Sequence, residues 1–106
     1  MHIVTRKNLL DAASKFKDAA AELGVWTTIA DGARWRTFED VRKMFPDADR
    51  VSGYVVFNIR HNRYRLITVI HYAKDGSKAT EGHVYIRSVL THKEYDDPEK
   101  WDPYAH

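Results

Sequence analysis

No cysteine occurs among the 106 residues of the chain, so it holds neither disulfides nor cysteine-ligated zinc. No apolar run approaches the roughly 20 residues of a membrane-spanning helix. Met1-His2-Ile3-Val4 is too short for the apolar core of a signal peptide. The cytoplasm is the expected compartment, and no membrane partner is expected. GxxxxGK(S/T), GxGxxG and GxSxG are all missing, which removes the commonest nucleotide-binding and serine-hydrolase readings. His2, His61, His71, His83 and His106 show neither HxxxH nor HExxH spacing, so no metal site is expected. Nothing in the chain calls for a cofactor. Repeats and low-complexity tracts are also absent.

A chain of this length makes one domain with a modest core. That domain is expected to cover residues 1 to 106, with an acidic C-terminal tail from about residue 97. Hydrophobic residues at 43% and charged residues at 30% are ordinary for a packed globule rather than a disordered segment. The net charge is only +2, but its distribution is uneven. Arg34, Arg36, Arg42, Lys43, Arg50, Arg60, Arg63 and Arg65 stand against Glu39, Asp40, Asp47 and Asp49. The tail reverses sign, with Glu94, Asp96, Asp97, Glu99 and Asp102 against Lys100. The basic middle points to an anionic partner, and the acidic tail argues against a surface coated uniformly by nucleic acid.

His2-Ile3-Val4 is short and β-prone and predicts an edge strand. Thr5 is placed to cap a helix carrying Leu9, Ala12, Ala13 and Phe16 at helical spacing. Asp18 is placed to cap a second helix over 19–30, with Ala19, Leu23, Trp26 and Ile29 or Ala30 as its apolar set. One bent helix through Lys17 is the competing reading. Gly32 ends this helical stretch, Thr37 caps a third piece with Asp40 in its third position, and Pro46 stops it. Trp26, Trp35, Phe38 and Phe45 are expected to pack between helices and sheet. Residues 47–53 read as a polar connection. Strands over 54–60 and 63–72 follow, with His61-Asn62 as a two-residue turn. That register faces Asn58 with Arg65, Val56 with Ile67 and Tyr54 with Val69 on one side, and puts Phe57, Leu66, Ile59 and Tyr64 on the helix side. Residues 74–82 form a loop, and Val84 to Leu90 a further meander strand. The expected fold is α+β: an N-terminal strand and two to three helices packed on one face of a mainly antiparallel sheet.

The stretch VYIRSVLTHKEYD, Val84 to Asp96, organises the rest. Its first half alternates as a strand; Thr91 followed by Glu94 has capping-box form. A strand running into a basic, histidine-bearing helix start brings a titratable base, positive charge and backbone N–H groups together, which suits a phosphate-containing ligand. If this strand pairs with the central one, Arg87 shares a side with Arg65 and Asn58, and His92 and Tyr95 stand just beyond the strand end. Arginine neutralises charge on a phosphorane, histidine moves protons near neutral pH, and tyrosine stacks on bases. Each residue has a plainer reading as well. Arg60 and Arg63 suit a solvated turn, Asn58 a bulge, Tyr95 the packing of the last turn, and a lone histidine is often structural.

Val56-Phe57-Asn58-Ile59-Arg60, Tyr64-Arg65-Leu66 and Tyr85-Ile86-Arg87-Ser88-Val89-Leu90-Thr91-His92-Lys93-Glu94-Tyr95-Asp96 together resemble the HigB toxins of type II toxin–antitoxin modules, within the RelE-like mRNA interferases. The likeness takes in the opening Met1-His2-Ile3-Val4 and its helix, about nine-tenths of the chain. It implies a RelE-like fold and an endoribonuclease that cuts mRNA, usually on the ribosome, without a metal or cofactor. It also implies silencing by a cognate antitoxin, a helix-turn-helix protein encoded beside it. Carried over, Arg65 and Arg87 stabilise phosphate charge, His92 is the acid/base, and Tyr95 orients or stacks a base. Asn58, Arg60, Arg63 and Lys93 complete the RNA and phosphate contacts. The loop 74–82 is long for the family and the acidic tail departs from it. A non-catalytic RNA-binding module and a domain that meets only an antitoxin are the alternatives. The titratable His92 beyond the arginine strands favours the enzyme.

Overall fold

The computed structural model describes residues 1–76 and 78–97. Strand β1 (His2–Val4) leads into helices α1 (Arg6–Lys15) and α2 (Ala20–Gly32), joined by a 3-10 turn at Lys17–Ala19. Helix α3 (Phe38–Met44) precedes strands β2 (Asp49–Val51), β3 (Tyr54–Ile59), β4 (Tyr64–His71) and β5 (His83–Thr91), and α4 (His92–Asp96) follows β5. The strands form one sheet in the order β1-β5-β4-β3-β2, antiparallel except where β1 runs parallel to β5. The α+β architecture, with a helical layer on one face of a mainly antiparallel sheet, is as the sequence predicts. Among the described residues no helix is long and apolar enough to cross a membrane.

Apolar spacing builds the helical layer. Leu9 and Ala12 of α1, and Leu23, Trp26 and Ala30 of α2, are buried in the core that faces the sheet. Ile29, the alternative to Ala30, is exposed. Phe16 breaks the helical backbone (φ −116°), so two helices form rather than one bent rod. Asp18 caps nothing; its carboxylate instead accepts from the Tyr64 hydroxyl at 2.6 Å and from Arg63 at 2.7 Å. Thr5 holds the N-cap position of α1 without a side-chain cap, because the sharp exit from β1 puts it in the left-handed region at φ 67°. Thr37 does cap α3, accepting from Asp40 N–H at 3.3 Å.

Phe57 on the helix side meets Trp26, Phe45 and Trp35 with ring centroids 5.3, 5.1 and 6.2 Å apart, so the aromatic residues pack as expected. The β3–β4 register pairs Asn58 with Arg65, Val56 with Ile67, Phe57 with Leu66 and Ile59 with Tyr64, as the sequence predicts. Its connection is longer than expected. Arg60 and His61 both have positive φ (54° and 60°), pairing stops at Ile59 and Tyr64, and the Arg60 amide donates to Glu22 at 2.7 Å instead of to the ladder. The segment read as a polar connection contains β2. Ser52 and Gly53, at φ 50° and 85°, turn the chain back, so that Asp49, Arg50 and Val51 supply the ladder partners the β3 edge would otherwise lack. Trp101, Tyr104 and the acidic residues from Glu99 onward lie outside the described residues.

Candidate active site

The strand-to-helix switch at Thr91 fixes the site. Thr91 Oγ1 accepts from Glu94 N–H at 3.1 Å, and Glu94 Oε1 accepts from Thr91 N–H at 3.0 Å, so the capping box is complete. The His92 amide donates to the Arg63 carbonyl at 2.8 Å, carrying the β4–β5 association one residue past the strand. These N–H groups are therefore engaged within the protein, and what α4 offers a ligand is its side chains. The first of them, His92, is laid beside Arg65.

Arg65 is the centre of the cluster. Its Nη2 stands 3.4 Å from His92 Nδ1, and its guanidinium carbon lies 5.2 Å from the Tyr95 ring centroid. Nη1 donates to the Asn62 carbonyl at 2.9 Å, so the loop of the β3–β4 hairpin holds the guanidinium in place. On the far side of the imidazole, Nε2 is 3.1 Å from Asp96 Oδ2. Of the two neutral tautomers, a carboxylate at Nε2 selects the one with its proton there, which leaves the Nδ1 lone pair toward Arg65. The Arg65 guanidinium contributes the fixed positive charge of the cluster.

Tyr95 covers a second apolar cluster on the face away from the helices, formed by Tyr54, Val56, Ile67 and Leu90. Burial pushes its phenol above the ordinary range; Asp49 and Asp96 add to the rise and Arg65 opposes it. Tyr95 therefore stays a neutral phenol at physiological pH, suited to stacking and hydrogen bonding rather than proton abstraction.

The structure gathers four of the eight predicted site residues: His92, Arg65 and Tyr95 in contact, and Asn58 opposite Arg65 on the neighbouring strand. Lys93 is exposed on α4 one residue further on. Arg63 turns instead to Asp18, whose carboxyl is held below its ordinary range by the Tyr64 hydroxyl and by Arg63 itself. Arg60 is exposed in the hairpin loop. Arg87 departs from the expected placement beside Arg65. The ladder pairs Ile67 with Ser88 and then Thr68 with Ile86, so Arg87 is the inserted residue of a β-bulge. It lines a cleft with Asn8, Asp11 and Lys15 of α1. The alternation that put it with Arg65 fails there.

Asp96 is not among the predicted site residues, although its place four residues after His92 on a helical turn is the signal that marks it. Asp49 and the Asn62 carbonyl reach the site only through strand pairing and a hairpin loop, and no local pattern marks them. Much of the basic middle is neutralised in place. Arg34 and Arg36 pair with Asp75 at 2.9 Å, and Lys43 lies 3.8 Å from Asp40.

A family described as HigB toxin, the RelE-like toxic component of a toxin-antitoxin system, matches residues 19–98. The chain is 34% identical over 100 residues to the mRNA interferase toxin HigB of Escherichia coli (strain K12), a span of 91% of this chain and 88% of that protein. Proteins named mRNA interferase HigB from Escherichia coli O157:H7 and Shigella flexneri match to the same extent.

Proposed function

The chain belongs to the HigB family of RelE-like toxic components of toxin–antitoxin systems, and from that premise we propose that it is a metal-independent mRNA interferase that acts in the cytoplasm on translating ribosomes. The observation that carries the reading is the placement of His92 Nδ1 beside the Arg65 guanidinium. A phosphodiester lying against Arg65 presents its neighbouring 2′-hydroxyl to Nδ1. The imidazole takes the 2′ proton, the 2′-oxygen forms a bond to phosphorus, and the bond from phosphorus to the 5′-oxygen breaks. The departing oxygen is protonated from water, with Lys93 adding positive charge nearby, and the hydroxide left behind recovers the proton from the His92 imidazolium. The products are a 2′,3′-cyclic phosphate and a 5′-hydroxyl. Arg65 matches the charge that grows on the phosphorane oxygens, a contribution of a few kcal/mol when preorganised. Proton transfer by a positioned histidine contributes roughly 100- to 10,000-fold. Tyr95 stacks on a base next to the scissile bond, and Asn58 contacts the same nucleotide. Asp96 positions His92.

The silencing partner is an antitoxin, in this reading a helix-turn-helix protein encoded beside the toxin. Induced expression should arrest growth, and cuts should fall within translated reading frames. Cuts spread equally over untranslated and translated transcripts would remove the ribosome from the account.

A further inference from the structure

Three histidines line up across three strands at the end of the sheet remote from His92. His83 of β5 is paired with His2 of β1 on one side and with His71 of β4 on the other. On β4 the alternation from Arg65 through Ile67 and Val69 puts His71 on the same face as Arg65. The rings form a connected group. His2 and His83 are 5.5 Å apart edge-on, His71 lies 4.9 Å from Tyr85, and His83 lies 6.0 Å from Tyr85. Gly82 draws the strand ends together. Its carbonyl accepts from the His2 amide at 3.2 Å, and a Cβ on it would come within 2.6 Å of the His71 carbonyl oxygen. A glycine is required there both for that approach and for its φ of +80°.

The adjoining loop is cationic where it meets this row. Its carboxylates are consumed elsewhere: Asp75 pairs with Arg34 and Arg36 at 2.9 Å, and Glu81 with Arg34 at 3.3 Å. Lys74 and Lys78 are exposed and form no ion pair among the described residues. With Tyr72, His71 and His83 they line a cleft of about 550 Å³. Two uncommitted ammonium groups, neighbouring imidazoles and a half-exposed Tyr85 ring make a surface for a polyanion with planar bases. An acidic protein would use the charges but has no need of the rings. His71 lies six residue steps along β4 from Arg65, a span of about 20 Å, within reach of one single strand lying along the sheet.

We propose that His71, His83, Tyr85, Lys74 and Lys78 form a distal RNA-binding subsite that holds the backbone and a base of the strand cleaved at His92. The proposal rests on the RNA-cleaving reading above and adds a second contact, several nucleotides away, to it. The test compares 2′-O-methyl RNAs of about 4 and about 12 nucleotides, titrated in EDTA so that no metal bridges the imidazoles. Wild type, Lys74→Ala/Lys78→Ala and His71→Gln/Tyr85→Ala are compared, with folding checked by circular dichroism. The longer RNA should bind wild type roughly tenfold or more tighter than the shorter. Each double variant should lose most of that advantage while binding the short RNA unchanged, and the lysine pair should flatten the salt dependence by about one to two phosphates. Equal loss on both lengths, or no loss on the longer, overturns the subsite while leaving the catalytic reading intact. Failure of wild type to bind either RNA overturns the subsite, while the cleavage reading is decided separately by the end groups of mRNA cut in a translating extract. If the lysine pair weakens only association with the antitoxin, the surface is a protein contact and the proposal is wrong. Should His71→Gln/Tyr85→Ala unfold, the lysine pair decides alone.

Discussion

Arg65 Nη2 and His92 Nδ1 lie 3.4 Å apart, although 27 positions separate them in the sequence. Three local devices create this contact: the capping box that starts α4, the bond from His92 N–H to Arg63, and the Asn62 carbonyl that anchors the guanidinium. A fixed positive charge beside a proton acceptor follows from them.

Arg65→Ala should lower kcat for RNA cleavage by roughly 100- to 1,000-fold, the cost of removing one preorganised donor to developing charge. Arg65→Lys should recover only part, since an ammonium cannot reproduce the planar fork. Arg63→Ala should leave kcat within a few-fold, because Arg63 is turned to Asp18. Single-turnover rates on one transcript decide this, and equal losses at 63 and 65 would mean a diffuse basic surface.

Asp96→Asn should reduce kcat by about tenfold with little change in KM, and alter the shape of the pH–rate profile, because the carboxylate stands at Nε2 of the proposed base. Asp96→Glu should restore part of the rate. An unchanged profile in Asp96→Asn would assign that residue a purely structural role.

Tyr95→Phe should keep RNA affinity and the pH profile, because burial holds the phenol protonated and the ring carries the stacking. Tyr95→Ala should weaken RNA binding by an amount equivalent to about 1–3 kcal/mol. It should also lower thermal stability by uncovering part of the Tyr54, Val56, Ile67 and Leu90 cluster. A Phe variant as defective as Ala would make the hydroxyl the functional group.

Asp18 links pH to stability. The Tyr64 hydroxyl first, and Arg63 second, hold its carboxyl below the unfolded value. The stabilisation is therefore whole above the ordinary carboxylate value, near 4, and is lost as pH falls through the folded value. The same bond raises the Tyr64 phenol, whose contribution is whole below the ordinary tyrosine range and fades as pH rises through its folded value. Thermal melts of wild type and Asp18→Asn should differ at pH 7, begin to approach each other below about pH 4, and converge as the pH falls through the folded value. A gap independent of pH would contradict the linkage.

The register of β3 and β4 was legible because a period of two assigns every side chain to a face, and Val56, Asn58, Arg65 and Ile67 kept to it. The Thr37 cap and the Thr91 capping box were legible because they are local. Arg87 was misplaced by the same periodicity, since one inserted residue breaks the alternation and no composition marks it. Asp18 looked like a cap in the sequence, yet its partners Arg63 and Tyr64 come from a distant hairpin. Strand β2 was hidden by its polar residues. Its pairing is dictated by the needs of β3 and a two-residue turn, not by its own pattern.

The central claim is that His92 initiates attack by a 2′-hydroxyl, and end-group analysis of the cut mRNA tests it most directly. In a translating extract the wild-type protein should leave 2′,3′-cyclic phosphates upstream and 5′-hydroxyls downstream of each cut. His92→Gln should lower the yield of those ends by roughly 100- to 10,000-fold, with an unchanged circular dichroism melt. Upstream 3′-hydroxyls with downstream 5′-phosphates, or an undiminished yield from folded His92→Gln, would contradict it.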